Sequence, residues 1–277
     1  MRVELYAIAF FLTITIFIAV KQNPGSQGRD MQRKHVGLLV MATGKYISYV
    51  DDLLDSADRY FCTDHAVTYF VFTDGELKSR NNLIVIPQEQ LGWPYDTMMR
   101  FAVYDKHKER FADCDYLFSC DADMRFAESV GSEMFGDRVG TLQPNYLFDA
   151  KPYERNPLST ACINRGEGLH YFAGGFYGAS RDEFIALIQG ITNQICIDLA
   201  RGYIAINNDE SHLNRYFVDH KPTVILSPSY CHFENWRSPY AQKLVALVKT
   251  VSESNAIRKK SAFNPIDYYK RFVLAVT

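Results

Sequence analysis

The sequence predicts an α/β fold built on an open sheet, and three features predict it. Unbroken apolar runs with aromatics, at residues 35–41, 67–73 and 83–87 and again at 116–120, read as buried strands. Segments with apolar residues at helical spacing lie between and after them. The chain is also large enough: 277 residues, 47% hydrophobic and 14% aromatic, suffice for one full core, as a single domain or one domain with lobes.

Composition excludes some functions. A formal charge of −2 gives no general attraction to nucleic acid, so any basic site must be local. The six cysteines, Cys62, Cys114, Cys120, Cys162, Cys196 and Cys231, lie far apart and form no Cys-x-x-Cys. That argues against a zinc ribbon and, in a chain this large, against a disulfide framework; buried thiols are the expectation. There is no Asn-x-Ser/Thr acceptor site.

Taken in order, residues 1–4 form a short tail and residues 5–20 an uncharged apolar run ending at Lys21. A spanning helix wants about 20 residues, with a lower limit near 17, and no Ala-x-Ala-like cleavage site follows. The run is read as a signal-anchor transmembrane helix, with a cleaved signal peptide and a buried helix as rivals. Residues 21–34, polar with Pro, Gly and Ser, read as a stem.

A globular domain is expected over 35–260. Strand 35–41 leads through a turn containing Gly44 into a helix carrying Ile47, Val50, Leu53, Leu54 and Ala57. That order begins many nucleotide sites in α/β folds, although no Gly-x-Gly-x-x-Gly is present. Strands 67–73 and 83–87 are separated by the turn Asp74-Gly75-Glu76. Residues 96–110 read as one helix with Met99, Ala102, Val103 and His107 near one face; Arg100 lies within it, where an arginine is ordinarily solvated. The next strand ends in Asp121-Ala122-Asp123.

An irregular stretch, 136–167, is rich in Pro, Asn and Tyr; long aperiodic loops in compact domains are often functional, and an acceptor surface would suit it. Residues 166–180 interleave aromatics with glycines, the mark of close approach by a ligand or another backbone. Residues 181–201 read as a long structural helix. Another helix starts at 207–214, with Asn208 as N-cap and acids in its first turn. Those acids are either favourable helix-end charges or an acidic site, and spacing leaves both open. Residues 221–228 form a last strand, 258–260 a basic patch and 261–277 an aromatic tail of no assigned role.

The chemistry centres on Asp121 and Asp123. Ligands of open α/β sheets collect at the carboxyl ends of strands, and paired carboxylates there can hold a hard divalent cation against a diphosphate. Ala122 keeps the link small enough for a nucleotide to approach the backbone.

Together the stretches 42–46, 93–100, 116–126, 153–155, 171–178, Asp209-Glu210-Ser211-His212-Leu213-Asn214 and 220–223 resemble glycosyltransferase family 6, the retaining α-1,3 transferases, in the family's own order from about 36 to 258. The resemblance implies a type A glycosyltransferase fold, a mixed, mostly parallel sheet with nucleotide-binding and acceptor-binding lobes. It implies transfer of N-acetylgalactosamine or galactose from a UDP-sugar to the 3-OH of a β-galactoside on a glycan, glycolipid or glycoprotein. By the same resemblance Met41, Ala42 and Tyr46 line the uridine pocket, Arg100 contacts the donor, and Asp121 and Asp123 hold Mn²⁺. Ala173, Gly174 and Gly175 read the donor sugar, Gln143 and Pro152 belong to the acceptor site, Asp209 hydrogen-bonds the sugar and Glu210 is the proposed nucleophile. Lys249 and Arg258 are the candidates for the cations that close over UDP. A small, Gly-Gly wall at 173–175 points to UDP-N-acetylgalactosamine over UDP-galactose, because the acetamido group needs room. For a eukaryotic source, tail, anchor and stem imply a single-pass type II Golgi membrane enzyme.

Three departures stand out. The loop between Gln143 and Tyr153 is shorter than in the blood-group enzymes, Asn207 and Asn208 replace a Trp-His pair, and residues 251–255 contain an insertion. The rival functions are a carbohydrate-binding protein that keeps the fold without turnover, and a metal-dependent phosphohydrolase.

Overall fold

A computed structural model describes residues 33–148 and 150–249. The anchor at 5–20, nearly all of the stem, Arg258 and the tail at 261–277 lie outside the described residues. Among the described residues no helix is long and apolar enough to cross a membrane.

The elements, in chain order, are β1 (His35–Met41), α1 (Ile47–Tyr60), β2 (Ala66–Thr73), β3 (Leu83–Pro87), α2 (Tyr95–Met98), α3 (Arg100–Lys106), β4 (Tyr116–Asp121), β5 (Met124–Phe126), β6 (Arg138–Leu142), β7 (Phe172–Ser180), α4 (Arg181–Ala200), α5 (Asn208–Asp219), β8 (Val224–Leu226), β9 (His232–Phe233) and β10 (Leu244–Ala246). Seven strands form one sheet in the order β3-β2-β1-β4-β7-β6-β8. Because β7 is antiparallel to both β4 and β6 while the remaining neighbours pair in parallel, β7 alone runs against the others.

Both faces of the sheet are covered, which explains why its central strands are apolar throughout rather than alternating. Val36, Leu38 and Val40 of β1 pack with Val50, Leu53 and Leu54 of α1 on one side. Leu39, Leu117 and Tyr177 pack with Phe101 of α3 and Phe184, Leu187 and Ile188 of α4 on the other. The β4–β7 contact needs glycine at 178: a Cβ there would lie 2.3 Å from the Phe118 ring and 2.7 Å from the Leu117 carbonyl. Phe118 and Phe176 stack across the same pair of strands, ring centroids 5.5 Å apart.

Three expectations need correction. The stretch read as irregular, 136–167, opens with β6, which pairs with β7 and β8. The single helix at 96–110 is three pieces, α2, α3 and a 3₁₀ turn at Lys108–Phe111. The break falls at Met99, whose ψ of 2° leaves the α region, and Arg100 Nε donates to the freed Thr97 carbonyl. At α5 the N-cap is Asn207, not Asn208, and its side chain makes no capping bond. Asn208 is already in the helix, with a φ of +47°, a left-handed value that asparagine tolerates better than most residues.

Residues 232–249 hold a feature that periodicity did not suggest. Strands β5, β10 and β9 make a second, three-stranded sheet, and the Leu247 N–H donates to the Asp123 carbonyl at 2.9 Å. The chain is thereby returned to the Asp-Ala-Asp turn just before Lys249.

Candidate active site

The site starts at the carboxyl ends of β1 and β4. Parallel pairing sets Met41 beside Asp121, so the residues that follow each strand, Ala42 and Ala122-Asp123, come out at the same edge. Gly44, at φ +57°, turns the chain back and gives its N–H to Asp74 Oδ1 at 2.8 Å. Tyr46 follows, and its hydroxyl accepts from Lys249 Nζ at 3.0 Å. The same ammonium lies 2.5 Å from Asp123 Oδ2 and 4.8 Å from the centre of the Tyr46 ring.

Antiparallel pairing then brings β7 alongside. The register Cys120 to Phe176 carries Gly175 beside Asp121, and a Cβ at Gly175 would sit 3.5 Å from Asp121 Oδ2. One residue earlier, the Gly174 N–H donates to Glu210 Oε2 at 2.8 Å. Ala173 is buried behind them. The triplet 173–175 therefore spans from the Asp-x-Asp carboxylate to the first turn of α5.

Arg100 ties the two sides together. Its Nη1 is 2.7 Å from Asp121 Oδ1 and its Nε 3.3 Å from Asp209 Oδ2. The side chain is buried, contrary to the ordinary expectation for a helix arginine; two carboxylates replace the water. Burial works against its charge, but Asp121 and Asp209 hold its pKa well above the usual arginine value.

The electrostatics are those of a site short of positive charge. Burial, and then the neighbouring Asp121, push the Asp123 carboxyl up despite Lys249. Burial also raises Asp209, with Arg100 opposing. Glu210 is pushed up to about 7, chiefly by burial and against the pull of the Gly174 N–H and the Tyr171 hydroxyl. Lys249 responds in the opposite sense: burial disfavours its charge, yet Asp123 and Tyr46 keep its pKa above an ordinary lysine's.

Such a set fits a hard divalent cation. Asp121 and Asp123 offer only oxygen, and Asp121 Oδ2 faces the Gly175 side. The nearby thiols of Cys120 and Cys231 are held protonated by burial and offer no soft ligand. Among the described residues no group of three His, Cys, Asp or Glu is arranged around one point. The protein would therefore supply one or two carboxylates and leave the other positions to water and a diphosphate, the usual pattern for a small divalent ion on a nucleotide.

The two residues expected on the acceptor side, Gln143 and Pro152, take part in hydrogen bonds of the loop. Gln143 caps the short turn Pro144–Tyr146, its side-chain Oε1 accepting from the Asn145 N–H, and its main-chain N–H donates to the Tyr171 carbonyl at 2.9 Å. The Pro152 carbonyl accepts from Asn207 Nδ2 at 3.1 Å.

Two buried acids hold the loop, Glu154, which the sequence offered only as part of the stretch 153–155, and Asp198, which it did not offer. Glu154 is buried and accepts from the N–H groups of Asn156 and Ile206, both at 2.8 Å, and from Tyr203. Asp198 of α4 accepts from the Thr160 N–H at 2.7 Å and the Ser159 hydroxyl at 2.5 Å. An acid inside the apolar run of α4 was the one available signal.

Comparison with known proteins agrees with this architecture. The sequence model of glycosyltransferase family 6 matches residues 27–259. Histo-blood group ABO system transferase 1 of Rattus norvegicus is 37% identical over 213 residues, 72% of this chain and 61% of that protein. Globoside alpha-1,3-N-acetylgalactosaminyltransferase 1 of Homo sapiens is 33% identical over 223 residues, 76% of this chain and 64% of that protein. Glycosyltransferase 6 domain-containing protein 1 of Mus musculus is 30% identical over 210 residues, 70% and 67% of the two chains. The chain thus spans about three-fifths of the length of the first two relatives. With its β7-reversed sheet, its strand-end aspartates and a family match covering most of its length, the fold is the type A glycosyltransferase fold and the chain belongs to glycosyltransferase family 6.

Proposed function

We propose that this chain is a retaining α-1,3-glycosyltransferase that moves N-acetylgalactosamine, or less readily galactose, from a UDP-sugar to the 3-OH of a β-galactoside. One observation carries the reading: the triplet 173–175 has Asp121 at one end and Glu210 at the other. A sugar lying along that backbone would have its diphosphate beside the aspartates and its anomeric carbon beside the glutamate.

The residues divide the work. Tyr46, Met41 and Ala42 form the wall beside the nucleotide, and Asp121 and Asp123 would hold Mn²⁺. When bound, that ion supplies Lewis-acid stabilisation of charge on the departing diphosphate. Lys249 is a second cation at the same carboxylates and can turn from Asp123 to a phosphate oxygen. Arg100 pairs with both Asp121 and Asp209 and orients their carboxylates. Glu210, held by the Gly174 N–H, is the carboxylate that retention of configuration requires, either as nucleophile or as the charge that steadies an oxocarbenium-like centre. Gly175 leaves space beside Asp121 and Cys231 for an acetamido group.

The name of the human relative, globoside alpha-1,3-N-acetylgalactosaminyltransferase 1, supports the donor choice. The apolar run at 5–20 supports an anchor, and in a eukaryotic cell a type II enzyme of the Golgi membrane. The test is direct: measure UDP release and sugar transfer to a panel of β-galactosides with UDP-N-acetylgalactosamine and UDP-galactose, with Mn²⁺ and after chelation. Metal-dependent transfer, faster with the first donor, is expected. Sugar binding without turnover would instead make this a carbohydrate-binding protein.

A further inference from the structure

We propose that Asn214 is a positioning residue: its side-chain amide stands in for a neighbouring strand at the start of β7 and so fixes the triplet 173–175 against Glu210. The inference rests on the roles given above to the triplet and to Glu210.

The sheet register creates the need for such a residue. Strand β4 pairs with β7 from Ser180 back to Phe176 and no further. On the other side β6 pairs with Ala179, Gly178 and Tyr177, then skips to Phe172 at a register shift. Among the described residues, 173–175 therefore have no paired partner in either neighbouring strand, and these are the residues assigned to the donor sugar. Their position must be set from outside the sheet.

Helix α5 supplies what the strands do not. The Phe172 N–H donates to Asn214 Oδ1 at 2.8 Å, and Asn214 Nδ2 donates to the Phe172 carbonyl at 2.9 Å. A residue whose N–H and carbonyl both bond to one partner is held like a hydrogen-bonded pair of an antiparallel ladder. The second Nδ2 proton goes to the Glu210 carbonyl at 2.9 Å, one helical turn earlier. These partners leave the amide a single orientation, because an N–H can only donate and a carbonyl can only accept. Asn214 is 1% exposed, so water competes little for any of the three bonds. The Phe172 ring also packs edge-on against Phe217 of the same helix, with centroids 5.0 Å apart. Asparagine is a poor choice for a helix interior on propensity, and these bonds account for its presence here. Asn214 thus ties the residue before the triplet to the backbone of Glu210, and the bond from the Gly174 N–H to Glu210 Oε2 closes the circuit.

The test uses Asn214→Ala in the full chain, with Leu213→Ala as a buried change in the same helix that removes no side-chain hydrogen bond. Expected for Asn214→Ala is a loss of about 10²-fold in kcat, for transfer and donor hydrolysis alike, the scale set by misplacing reacting groups by about 1 Å. The dissociation constant for UDP, which lacks the sugar, should stay within about twofold of wild type. Amide exchange followed by NMR gives a readout that needs no turnover. In Asn214→Ala the Gly174 N–H should exchange at least about tenfold faster relative to the Leu117 N–H of β4, while Leu213→Ala keeps the wild-type ratio. In the wild type the Asn214 side-chain amide protons should exchange far more slowly than those of a free asparagine, which decides the matter should Asn214→Ala not fold. Equal falls in kcat and UDP affinity, a Gly174 ratio that is unchanged or moves equally in both variants, or freely exchanging Asn214 amide protons overturn the proposal. Wild-type protein that turns over no UDP-sugar overturns the proposed activity instead, and the exchange rates still decide whether Asn214 holds the triplet.

Discussion

The two ends of the 173–175 triplet are held by different forces. At the donor end three carboxylates meet two cations, and the principal contacts are between charges: Arg100 with Asp121 and Asp209, Lys249 with Asp123. At the acceptor end the buried acids Glu154 and Asp198 accept from backbone N–H groups and hydroxyls, and Glu210 from a glycine N–H. A charge-built site changes when another charge arrives, as a cation or a diphosphate would. One built on backbone N–H groups keeps its shape, which is what a loop that must present one hydroxyl of an acceptor needs.

The contrast can be broken first at the metal pair. Replacing both aspartates, Asp121→Asn with Asp123→Asn, should reduce Mn²⁺-dependent transfer by about 10³-fold, since Lewis-acid stabilisation is worth several kcal/mol. Transfer rates at saturating donor, with and without Mn²⁺, read this; an unaltered metal response would remove the cation from these residues.

Glu210→Gln comes next, with an expected loss of about 10² in kcat by analogy with removing a preorganised transition-state group. Its pH behaviour has a definite sign. With Glu210 pushed up to about 7 by burial, the reactive carboxylate forms as pH rises through 7, so kcat/KM for the donor should fall on the acid side and the variant's residual rate should not. Stability runs the other way. Between about 4.5 and 7 the folded protein holds a proton that the unfolded chain has released, so this group's contribution to stability is present at low pH and lost as pH rises through 7. The melting temperature of the wild type should therefore drop relative to Glu210→Gln between pH 5 and 7.5.

Removing the donor-side clamp should cost more stability than loosening the acceptor loop. Arg100→Met leaves Asp209 buried without its partner, for which about 3 kcal/mol is the expected loss, the low end for a broken buried pair because Asp121 keeps solvent access. Glu154→Gln keeps an acceptor for the Ile206 N–H and should cost about 1 kcal/mol, the charged part of that bond. Urea unfolding of the two variants compares them.

This difference also explains what could be read from the sequence. The donor end was legible because its chemistry demands residue types: a strand-end Asp-x-Asp, a glycine pair, two acids opening a helix. The existence of β1 to β4 followed from unbroken apolar runs, though not their order in the sheet. The acceptor loop was legible only as an aperiodic stretch and not in what anchors it, because a buried acid held largely by backbone N–H groups leaves little mark on its partners; nothing at Ile206 or Thr160 announces Glu154 or Asp198. Helix caps failed for a related reason. Asn207 and Asn208 are equally good caps on propensity, and only the tertiary partners of Asn207, Pro152 and Tyr171, decide which residue starts α5. The second sheet was missed because β9 and β10 are two and three residues long, below any period.

The smallest effect tests the point where the two ends meet. A methyl group at Gly175 would lie 3.5 Å from Asp121 Oδ2 and 3.9 Å from Cys231 Sγ, ordinary contact distances, so Gly175→Ala should fold as the wild type does. The space it fills is that assigned to the acetamido group. Losing room for one methyl in a binding wall is worth about 1 to 3 kcal/mol of discrimination, so kcat/KM for UDP-N-acetylgalactosamine should fall at least tenfold relative to UDP-galactose. Glu210 touches position 174 and not 175, so hydrolysis of UDP-galactose should stay within about threefold of wild type. An equal loss with both donors would mean that Gly175 serves the Asp121 carboxylate and not the sugar, and that the donor is read elsewhere along β7.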